Sequence, residues 1–315
     1  MAERAHALSQ EEATAFAPAG VGNVSVGFDI LGHSIAGPGD RATVRRIDAQ
    51  EVRIDTIEGI VTDLPLNPTH NTAGRALIAL HDALDLPHGF AITLHKGIPL
   101  GSGMGGSAAS CVAALVAANA LLDAPLSREA LYPFALDGEA IVTGARNGDN
   151  VGPMLLGGLV LTTPERLVPL AVPVEWHCVL IHPHCRIETR AAREVLRNPW
   201  SLADITRQSA HLALFLTGCT RGDPELVRAG LKDVLVEPRR AGLIPGFDAV
   251  REAALNAGAL GAGISGAGPS LFAWFGDGST ADHAASLMQL AFAGTGLGSD
   301  IYVSPVAGPR AEISA

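Results

Sequence analysis

Apolar and polar residues alternate in short runs through the first half of the chain, and some of these runs are followed by segments with helical spacing. Alternation is typical of a half-buried strand, and apolar recurrence every three to four residues is typical of an amphipathic helix. The alternating runs predict strands at 14–17, 42–47, 51–57, 90–94 and 155–163. The helical spacing predicts helices at 71–84 and 106–122, and a further helix that begins at 125–127.

The second half of the chain repeats the mixture. Strands are predicted at 176–182, 262–265, 271–275 and near 301, and helices at 191–196, 202–216, 224–236 and 247–257, with one more helix before the last strand. Because these elements do not alternate as regular β-α-β units, they predict an α+β fold. A single core stops growing at roughly 250–300 residues. The 315 residues therefore predict two domains, 1–168 and 169–315, that share a cleft.

Composition argues against several classes of partner. Lys and Arg number 22 against 32 Asp and Glu, a formal net charge of −10, and such a field disfavours nucleic acid and anionic membranes. The four cysteines are too sparse for a disulfide framework, which suggests a reducing compartment. The amino terminus is charged and lacks the apolar stretch of a signal peptide. The most apolar run, 108–122, is shorter than the ~20 residues of a membrane span. We therefore expect a cytoplasmic protein.

The most informative segment is P-L-G-S-G-M-G-G-S-A-A-S at 99–110, which a predicted strand enters and an Ala-rich predicted helix leaves. Its glycines can adopt positive φ or let a ligand approach the backbone closely. The first turn of the helix would present unpaired N–H groups, which favour an anionic ligand. The segment is therefore predicted to hold a phosphate group.

Other readings of this segment fit less well. Residues 101–106 match G-x-G-x-x-G, but a dinucleotide fold needs a following strand that ends in an acidic residue, and Asp123 lies between two predicted helices. A Walker loop needs a Lys after the glycines, whereas Lys96 precedes them. A plain turn between strand and helix requires fewer glycines. The phosphate loop remains the favoured interpretation.

Two further segments occur in the order expected of a known family. The run A-P-A-G-V-G-N-V-S-V-G-F-D-I-L-G lies at 17–32 and G-I-S-G-A-G-P-S-L-F at 263–272. Together with I-P-L-G-S-G-M-G-G-S-A-A-S at 98–110 they resemble the motifs of the GHMP kinases, which phosphorylate small alcohols. The resemblance implies an α+β fold with an N-terminal ATP-binding domain and a C-terminal ferredoxin-like domain. It also implies ATP and Mg²⁺ as cofactors.

Within that family the chain is similar to the branch that phosphorylates the side-chain hydroxyl of L-homoserine, on the route to threonine. The segments that carry this similarity are D-N-V-G-P-M-L-L-G-G at 149–158, T-R-A-A-R-E-V-L at 189–196 and V-E-P-R-R-A-G-L-I-P-G-F at 236–247. The resemblance implies ATP and L-homoserine as ligands and a homodimeric assembly.

The resemblance also implies the residues of the nucleotide site. Ser107 and Glu139 fall where the family places its Mg²⁺ ligands, and a hard cation prefers such oxygen donors. Without the resemblance, Glu139 would be interpreted as a solvated residue on a helix surface. The implied ATP-binding residues are Asn71, Pro99, Leu100, Gly101, Ser102, Gly103, Met104, Gly105, Gly106, Ser107, Ala108 and Ala109.

An amino-acid substrate with a carboxylate, an ammonium and a hydroxyl needs a pocket of mixed charge. Arg193 and Arg240 occupy family positions that grip the carboxylate, a role suited to the planar guanidinium. Asp29 and Asn23 suit the ammonium and the hydroxyl. The implied substrate-binding residues are Asn23, Asp29, Asn147, Thr189, Arg193, Arg240 and Gly266.

The resemblance leaves the proton acceptor open. Asn150 occupies the place of a catalytic Asp in relatives such as mevalonate kinase, and an amide cannot act as a general base. We therefore predict catalysis by approximation and electrostatic stabilisation, in which the hydroxyl proton leaves to phosphate or water. Asp149 is the alternative base. The predicted catalytic residues are Asn150, Asp149, Arg193 and Glu139.

The sequence departs from the family pattern at two places. Gly106 replaces the first of two serines usual in the phosphate loop, and N-G-D-N at 147–150 replaces the more common H-Y-D-N. These departures leave open a mevalonate-like or sugar substrate, and a ligand sensor that does not turn over. Intact Ser107 and Glu139 argue against the sensor, because a sensor needs no metal site.

Overall fold

The computed structural model describes residues 11–314, apart from the side chains of Thr143 and Thr189. Residues 1–10, on which the prediction of no signal peptide rests, lie outside this range. The predicted substrate contact of the Thr189 side chain also falls outside it. In the described part of the chain, no helix is both long and apolar enough to cross a membrane.

The first half of the chain builds a seven-stranded sheet. Its order is β11-β1-β2-β4-β3, with β5 paired to β2 and β6 to β5. All pairs are antiparallel except β3 and β4, which run parallel. The strands are β1 (Glu12–Gly22), β2 (Leu31–Ile47), β3 (Val52–Gly59), β4 (Gly89–Lys96), β5 (Leu159–Thr162), β6 (Leu167–Leu170) and, from the end of the chain, β11 (Glu312–Ile313).

Helix α2 is the central helix against this sheet. Every residue from Ala108 to Asn119 is buried, and the alanines in this run let neighbouring elements approach closely. A helix that is apolar all round must lie inside the core. Burial of α2 therefore fixes the position of its first turn, which follows the phosphate loop. The helices of this half are α1 (Thr72–Leu84), α2 (Gly106–Ala120), α3 (Tyr132–Thr143) and α4 (Val151–Leu156).

The second half builds a four-stranded antiparallel sheet of order β10-β7-β9-β8. Numbered within this half, the order is 4-1-3-2, which is the ferredoxin-like arrangement, and the predicted α+β fold is confirmed. The strands are β7 (His177–Pro183), β8 (Gly261–Ile264), β9 (Leu271–Phe275) and β10 (Ser299–Pro305). The helices are α5 (Thr189–Glu194), α6 (Leu202–Arg221), α7 (Pro224–Gly230), α8 (Glu237–Arg240), α9 (Phe247–Asn256) and α10 (Gly278–Ala293).

The two sheets share a hydrophobic core. One face of the second sheet, with Phe272 and Trp274, packs into the same buried cluster as α2, while its other face packs on α9 and α10. The indole Nε1 of Trp274 donates a hydrogen bond of 3.1 Å to Nε2 of His33 on β2. Strand β6 spans the predicted division between residues 168 and 169, and β11 returns to pair with β1. The division into two domains stays a prediction.

Three predicted elements differ from the structure. Residues 151–156 form α4, and the strand predicted from 155 begins only at Leu159, after Gly157 and Gly158 have turned the chain with positive φ. The helix predicted over 224–236 ends at Gly230. The helix predicted from 125–127 begins later: Ser127 Oγ accepts from the backbone N–H of Ala130 at 3.2 Å, and a 3₁₀ turn (Glu129–Leu131) precedes α3.

Candidate active site

A cavity of about 270 Å³ lies where the phosphate loop, the turn between β1 and β2, and the ends of α5 and α8 meet. Most residues predicted for the site line it, although they come from distant parts of the sequence. Met104, Ala108 and Ala109 instead bury their side chains in the core, so only their backbone can face a ligand. The predicted residues in the lining are Asn23, Asp29, Asn71, Pro99, Leu100, Gly101, Ser102, Gly103, Gly105, Gly106, Ser107, Glu139, Asn147, Asp149, Asn150, Arg193, Arg240 and Gly266.

The phosphate loop is held by hydrogen bonds to its carbonyl groups. The Ser102 carbonyl accepts from Ser270 Oγ at 2.7 Å, and the Gly103 carbonyl accepts from Ser265 Oγ at 2.8 Å. Gly103 has φ of 79°, and a Cβ there would lie 2.5 Å from the carbonyl oxygen of Ser265. The carbonyl groups of the phosphate loop thus face the segment at 263–272, and the N–H of Met104 donates to Ser102 Oγ at 3.3 Å.

The first turn of α2 has N–H groups available for an anion. Its N-cap is Gly105, with φ of 73° and no side chain to accept from the first N–H groups. An uncapped helix N-terminus combines unpaired donors with the positive end of the helix dipole. A phosphate group fits this end of the helix.

Ser107 and Glu139 face each other beside this helix terminus. Ser107 Oγ lies 3.3 Å from Glu139 Oε2, and Glu139 is 5% exposed. Burial raises the pKa of Glu139 to about 7, against the hydrogen bond from Ser107 and the charge of Lys96. A hydroxyl and a carboxylate oxygen are hard donors of the kind Mg²⁺ prefers. In the described residues no cluster of three or more His, Cys, Asp or Glu is suited to a metal.

A buried ion pair holds the phosphate loop in place. This pair was not predicted from the sequence. Lys96 Nζ contacts the Asp40 carboxylate, and it donates to the Gly106 carbonyl and to Ser110 Oγ, each at 2.7 Å. These contacts use the three hydrogens of the ammonium, so Lys96 orients the loop without reaching over the glycines. Asp40 Oδ1 accepts from the N–H groups of Gly97 and Ile98 at 2.9 and 3.1 Å. One signal was in the sequence: Lys96 falls on the buried face of β4, where a lysine needs a partner.

The other end of the cavity carries paired charges. Arg193 Nη2 and Nη1 donate to the Asp29 carboxylate at 3.1 and 3.3 Å. Asn23 Oδ1 accepts from the N–H of Asp29 at 2.9 Å, and Asn23 Nδ2 donates to the Gly266 carbonyl at 2.8 Å. Arg240 Nη1 also donates to the Gly266 carbonyl, at 3.0 Å. The first and third motifs of the sequence thus meet at Gly266.

Arg240 is the more buried of the two arginines. It is 3% exposed, and its Nε donates to the Ala192 carbonyl at 3.0 Å. Burial, together with the charge of Arg193, lowers the pKa of Arg240 to about 10. Two guanidinium groups near each other favour the binding of an anion such as a carboxylate.

Asp149 and Asn150 lie between the two ends of the cavity. Burial raises the pKa of Asp149 to about 7, and the charges of Asp29 and Glu139 add to the shift. Asn150 Nδ2 donates to Asp149 Oδ2 at 3.1 Å. Within residues 11–314, Asn150 Oδ1 and Asn147 Nδ2 are buried without a hydrogen-bond partner. Because buried polar atoms are normally paired, these two atoms are suited to meet a ligand.

Apolar side chains form a wall of the cavity next to the phosphate loop, and of these only Leu100 was expected from the sequence. Asn71 stands beside this wall, but its amide is already committed: Oδ1 accepts from the N–H of Ala73 and Nδ2 donates to the Pro65 carbonyl, each at 3.1 Å. An apolar wall near a phosphate site suits a nucleotide base. The wall residues are Leu64, Leu94, Ile98, Leu100 and Val142.

The structure gives a local reason for glycine at 106. A Cβ at this position would lie 3.2 Å from Ile98 Cγ2, which is closer than ordinary contact. The carbonyl of the same residue accepts from Lys96. A serine here would therefore need Ile98 to move by a few tenths of an ångström.

Two models of one known family match the chain. The family "GHMP kinases N terminal domain" matches residues 71–158, and "GHMP kinases C terminal" matches residues 215–293. A homoserine kinase of Xylella fastidiosa (strain 9a5c) is 59% identical over 307 residues, covering 98% of this chain and 95% of the relative. A homoserine kinase of Chloroherpeton thalassium (strain ATCC 35110 / GB-78) is 42% identical over 310 residues, covering 94% and 97%.

A solved structure is similar over the whole chain. The crystal structure of a homoserine kinase from Cytophaga hutchinsonii ATCC 33406 has a TM-score of 0.93 and 38% identity, with 100% of both chains covered. The chain belongs to the GHMP kinase family, and it is an ATP-dependent kinase that acts on an alcohol. Along nearly its full length it is similar to homoserine kinases, at 59% and 38% identity to the two described from Xylella fastidiosa and Cytophaga hutchinsonii.

Proposed function

We propose that the protein transfers the terminal phosphoryl group of ATP to the side-chain hydroxyl of L-homoserine, giving O-phospho-L-homoserine for threonine biosynthesis. The observation that carries this proposal is the pairing of opposite chemistries in one cavity. One end presents the uncapped start of α2, and the other presents the Asp29–Arg193 pair with Arg240. An amino acid with a hydroxyl between these ends fits both.

The substrate would lie with its carboxylate toward Arg193 and Arg240 and its ammonium toward Asp29. Arg193 and Asp29 are paired at 3.1 Å. The substrate carboxylate would contact the arginine and the substrate ammonium would contact the aspartate, so the four charges would compensate one another. Asn23 holds the turn that carries Asp29. This orientation would point the side-chain hydroxyl along the cavity toward Asn150 and the phosphate loop.

Phosphoryl transfer requires mainly positioning and charge stabilisation. The N–H groups of the phosphate loop and the first turn of α2 would bind the phosphates, and the apolar wall would hold the base. Asn150 would orient the hydroxyl through Oδ1, which is buried and has no partner within residues 11–314. The proposed catalytic residues stay Asn150, Asp149, Arg193 and Glu139.

Ser107 and Glu139 would hold Mg²⁺, since their facing oxygens are the donors such a hard cation prefers. When bound, the ion would neutralise negative charge on the phosphates. Burial raises the pKa of Glu139 to about 7, and a bound cation would favour its ionised form. Metal binding would therefore release a proton near neutral pH.

A substrate panel tests the proposal. Purified protein is incubated with ATP, Mg²⁺ and either L-homoserine, mevalonate, galactose or L-threonine, and ADP formation is followed. We expect homoserine to give the highest kcat/KM. Faster turnover of another alcohol would support the kinase reaction but contradict L-homoserine as the substrate. No ADP with any alcohol would contradict both the reaction and the substrate.

We also propose that the kinase works in the cytoplasm as a homodimer, which the family resemblance suggests. The cysteines of the described residues are free, and Cys111, Cys178 and Cys219 are buried, which suits a reducing compartment. Sedimentation velocity at micromolar concentration tests the assembly. A single species with twice the 32.4 kDa of the chain is expected, and a monomer at all concentrations would contradict it.

A further inference from the structure

A second, much smaller cavity lies behind the substrate end of the active site. Its volume is about 10 Å³, and its polar lining includes Ser25, Asp233 and Glu237 together with Asn23 and Arg240 of the active site. A space of roughly 10–15 Å³ holds one water molecule if two or more polar groups face it. The cavity is therefore large enough for a single water.

Two buried polar atoms border this cavity without a partner. Ser25 Oγ and Glu237 Oε2 make no hydrogen bond to any group within residues 11–314. Their residues are 5% and 9% exposed, respectively. A Cβ on Gly263 would lie 2.5 Å from Glu237 Oε2 and 3.2 Å from Ser25 Oγ. The two atoms therefore face the same point of the β8 backbone.

Most neighbouring side chains are already engaged, and the backbone of Ile264, which also lines the cavity, faces the Glu237 carboxylate. Glu237 Oε1 lies 3.3 Å from Arg251 Nε, which leaves Oε2 for another donor. Asp233 accepts from the N–H groups of Leu235 and Glu237, each at 2.8 Å. Arg240 donates to the backbone carbonyls of Ala192 and Gly266. A water between Ser25 and Glu237 would pair both atoms at once.

Ser25 belongs to a turn with an unusual backbone. Asn23, Val24 and Ser25 have φ of 69°, 42° and 58°, which is the left-handed region that residues other than glycine rarely adopt. Such a conformation persists only where surrounding contacts hold it. Asn23 leads this turn and binds both the N–H of Asp29 and the carbonyl of Gly266.

We infer that one water molecule bridges Ser25 Oγ and Glu237 Oε2, and that Ser25 and Glu237 are positioning residues for the Asn23 turn. The bridge ties the turn to α8, the helix that carries Arg240. It therefore fixes two sides of the substrate end relative to each other. The role in catalysis rests on the proposed function, because it assumes that Asn23 and Arg240 contact the substrate.

Kinetics of Ser25→Ala test the positioning role. We expect KM for homoserine to rise about 5- to 20-fold, which is typical of one lost hydrogen bond, while KM for ATP changes less than about twofold. Ser34→Ala is the matched control, because Ser34 Oγ is equally buried and unpaired within residues 11–314 but borders neither cavity. An unchanged homoserine KM in Ser25→Ala, or an equal rise in both KM values, would overturn the inference.

Glu237 provides a second pair of variants. Glu237→Gln keeps a group that can bind the water and should leave the homoserine KM within about threefold of the wild type, whereas Glu237→Leu should raise it like Ser25→Ala. Equal effects of the two substitutions would contradict the bridge. Ser25→Gly, which relieves the backbone strain, should still raise KM and serves if Ser25→Ala folds poorly.

A crystal structure that resolves ordered waters tests the bridge without turnover. We expect one water within hydrogen-bond distance of Ser25 Oγ and Glu237 Oε2. If the protein did not phosphorylate homoserine but held this water, the proposed function would fail and the structural part of the inference would stand. Electron density with no water there would overturn the inference whatever the substrate.

Discussion

Asp149 is the residue whose role decides how the hydroxyl proton leaves. It is buried between the proposed substrate and metal ends, and burial raises its pKa to about 7. Asn150 next to it cannot accept a proton. A carboxylate with this pKa would suit a general base near neutral pH, whereas a reaction driven by positioning would not need one.

Replacing Asp149 with Asn separates these two mechanisms. The Asn side chain keeps the size of Asp149 and most of its hydrogen bonds, but an amide cannot accept a proton. If catalysis rests on approximation, as we predict, kcat should fall less than about tenfold and its pH dependence should stay similar. General base catalysis is typically worth 10²- to 10⁴-fold. A fall of that size, with loss of a kinetic pKa near 7, would assign the base to Asp149.

Several of the residue roles could be anticipated only through the family resemblance. Arg193 and Asp29 are paired across 164 positions of sequence, and no local pattern connects them. Taken alone, each would be interpreted as a surface charge. The resemblance also implies that Asn71 binds ATP. Asn71 does line the cavity, but its side-chain amide caps α1.

At the scale of elements, the start of α2 depends on the buried cluster beneath it. Lys96 and Asp40 are 4% and 0% exposed, and together they connect the end of β4 with the first residue of α2. Breaking a buried ion pair leaves one charge without compensation, which costs more than removing both charges.

A double-mutant cycle measures this effect on stability. Lys96→Met alone should destabilise the protein by about 3–5 kcal/mol. The double variant Asp40→Asn with Lys96→Met should be less destabilised than the sum of the two single variants, by roughly 2 kcal/mol. Chemical denaturation gives these free energies of unfolding. Strict additivity would show that the pair does not stabilise the loop as an ion pair.

Elements with a strong local pattern were predicted well, and elements held by tertiary contacts were not. The glycine cluster predicted the phosphate loop and the start of α2 at Gly106. Helix α8 has four residues and β11 has two, which is too short for any periodicity. Lys96 was missed as a site residue because its partner Asp40 lies 56 positions away. Strand alternation placed Lys96 on the buried face but did not name the partner.

At the scale of the whole molecule, the two sheets are joined through a shared core rather than a mobile linker. Nε2 of His33 on β2 accepts a hydrogen bond from the indole of Trp274 on β9. Nδ1 of the same ring lies 3.0 Å from the carbonyl oxygen of Ser34. This arrangement requires a neutral imidazole with its hydrogen on Nδ1. Burial accordingly lowers the pKa of His33 from 6.5 to about 4.

The lowered pKa of His33 predicts that the stability contributed by this one residue is lost in mild acid. Between pH 6.5 and about 4 the unfolded chain binds a proton that the folded chain refuses, so the free energy of unfolding falls as pH falls. The full difference would be roughly 3 kcal/mol. Glu139 and Asp149 act in the opposite direction, because their pKa values are raised.

Comparison with His33→Gln isolates this contribution. Glutamine offers a donor and an acceptor but does not titrate, so the variant should be less stable at pH 7 and should lose less stability on acidification. Denaturation midpoints measured from pH 7 to pH 4 give the two slopes. Parallel curves for wild type and variant would contradict a neutral, buried His33 between the sheets.

The protein is proposed to transfer the terminal phosphoryl group of ATP to the hydroxyl of homoserine rather than to water. Phosphorus NMR of the protein with ATP, Mg²⁺ and L-homoserine distinguishes the two directly. We predict ADP and an equal amount of a phosphomonoester whose resonance is coupled to the CH₂ protons of homoserine. ADP accompanied by inorganic phosphate alone, or unchanged ATP, would contradict the account.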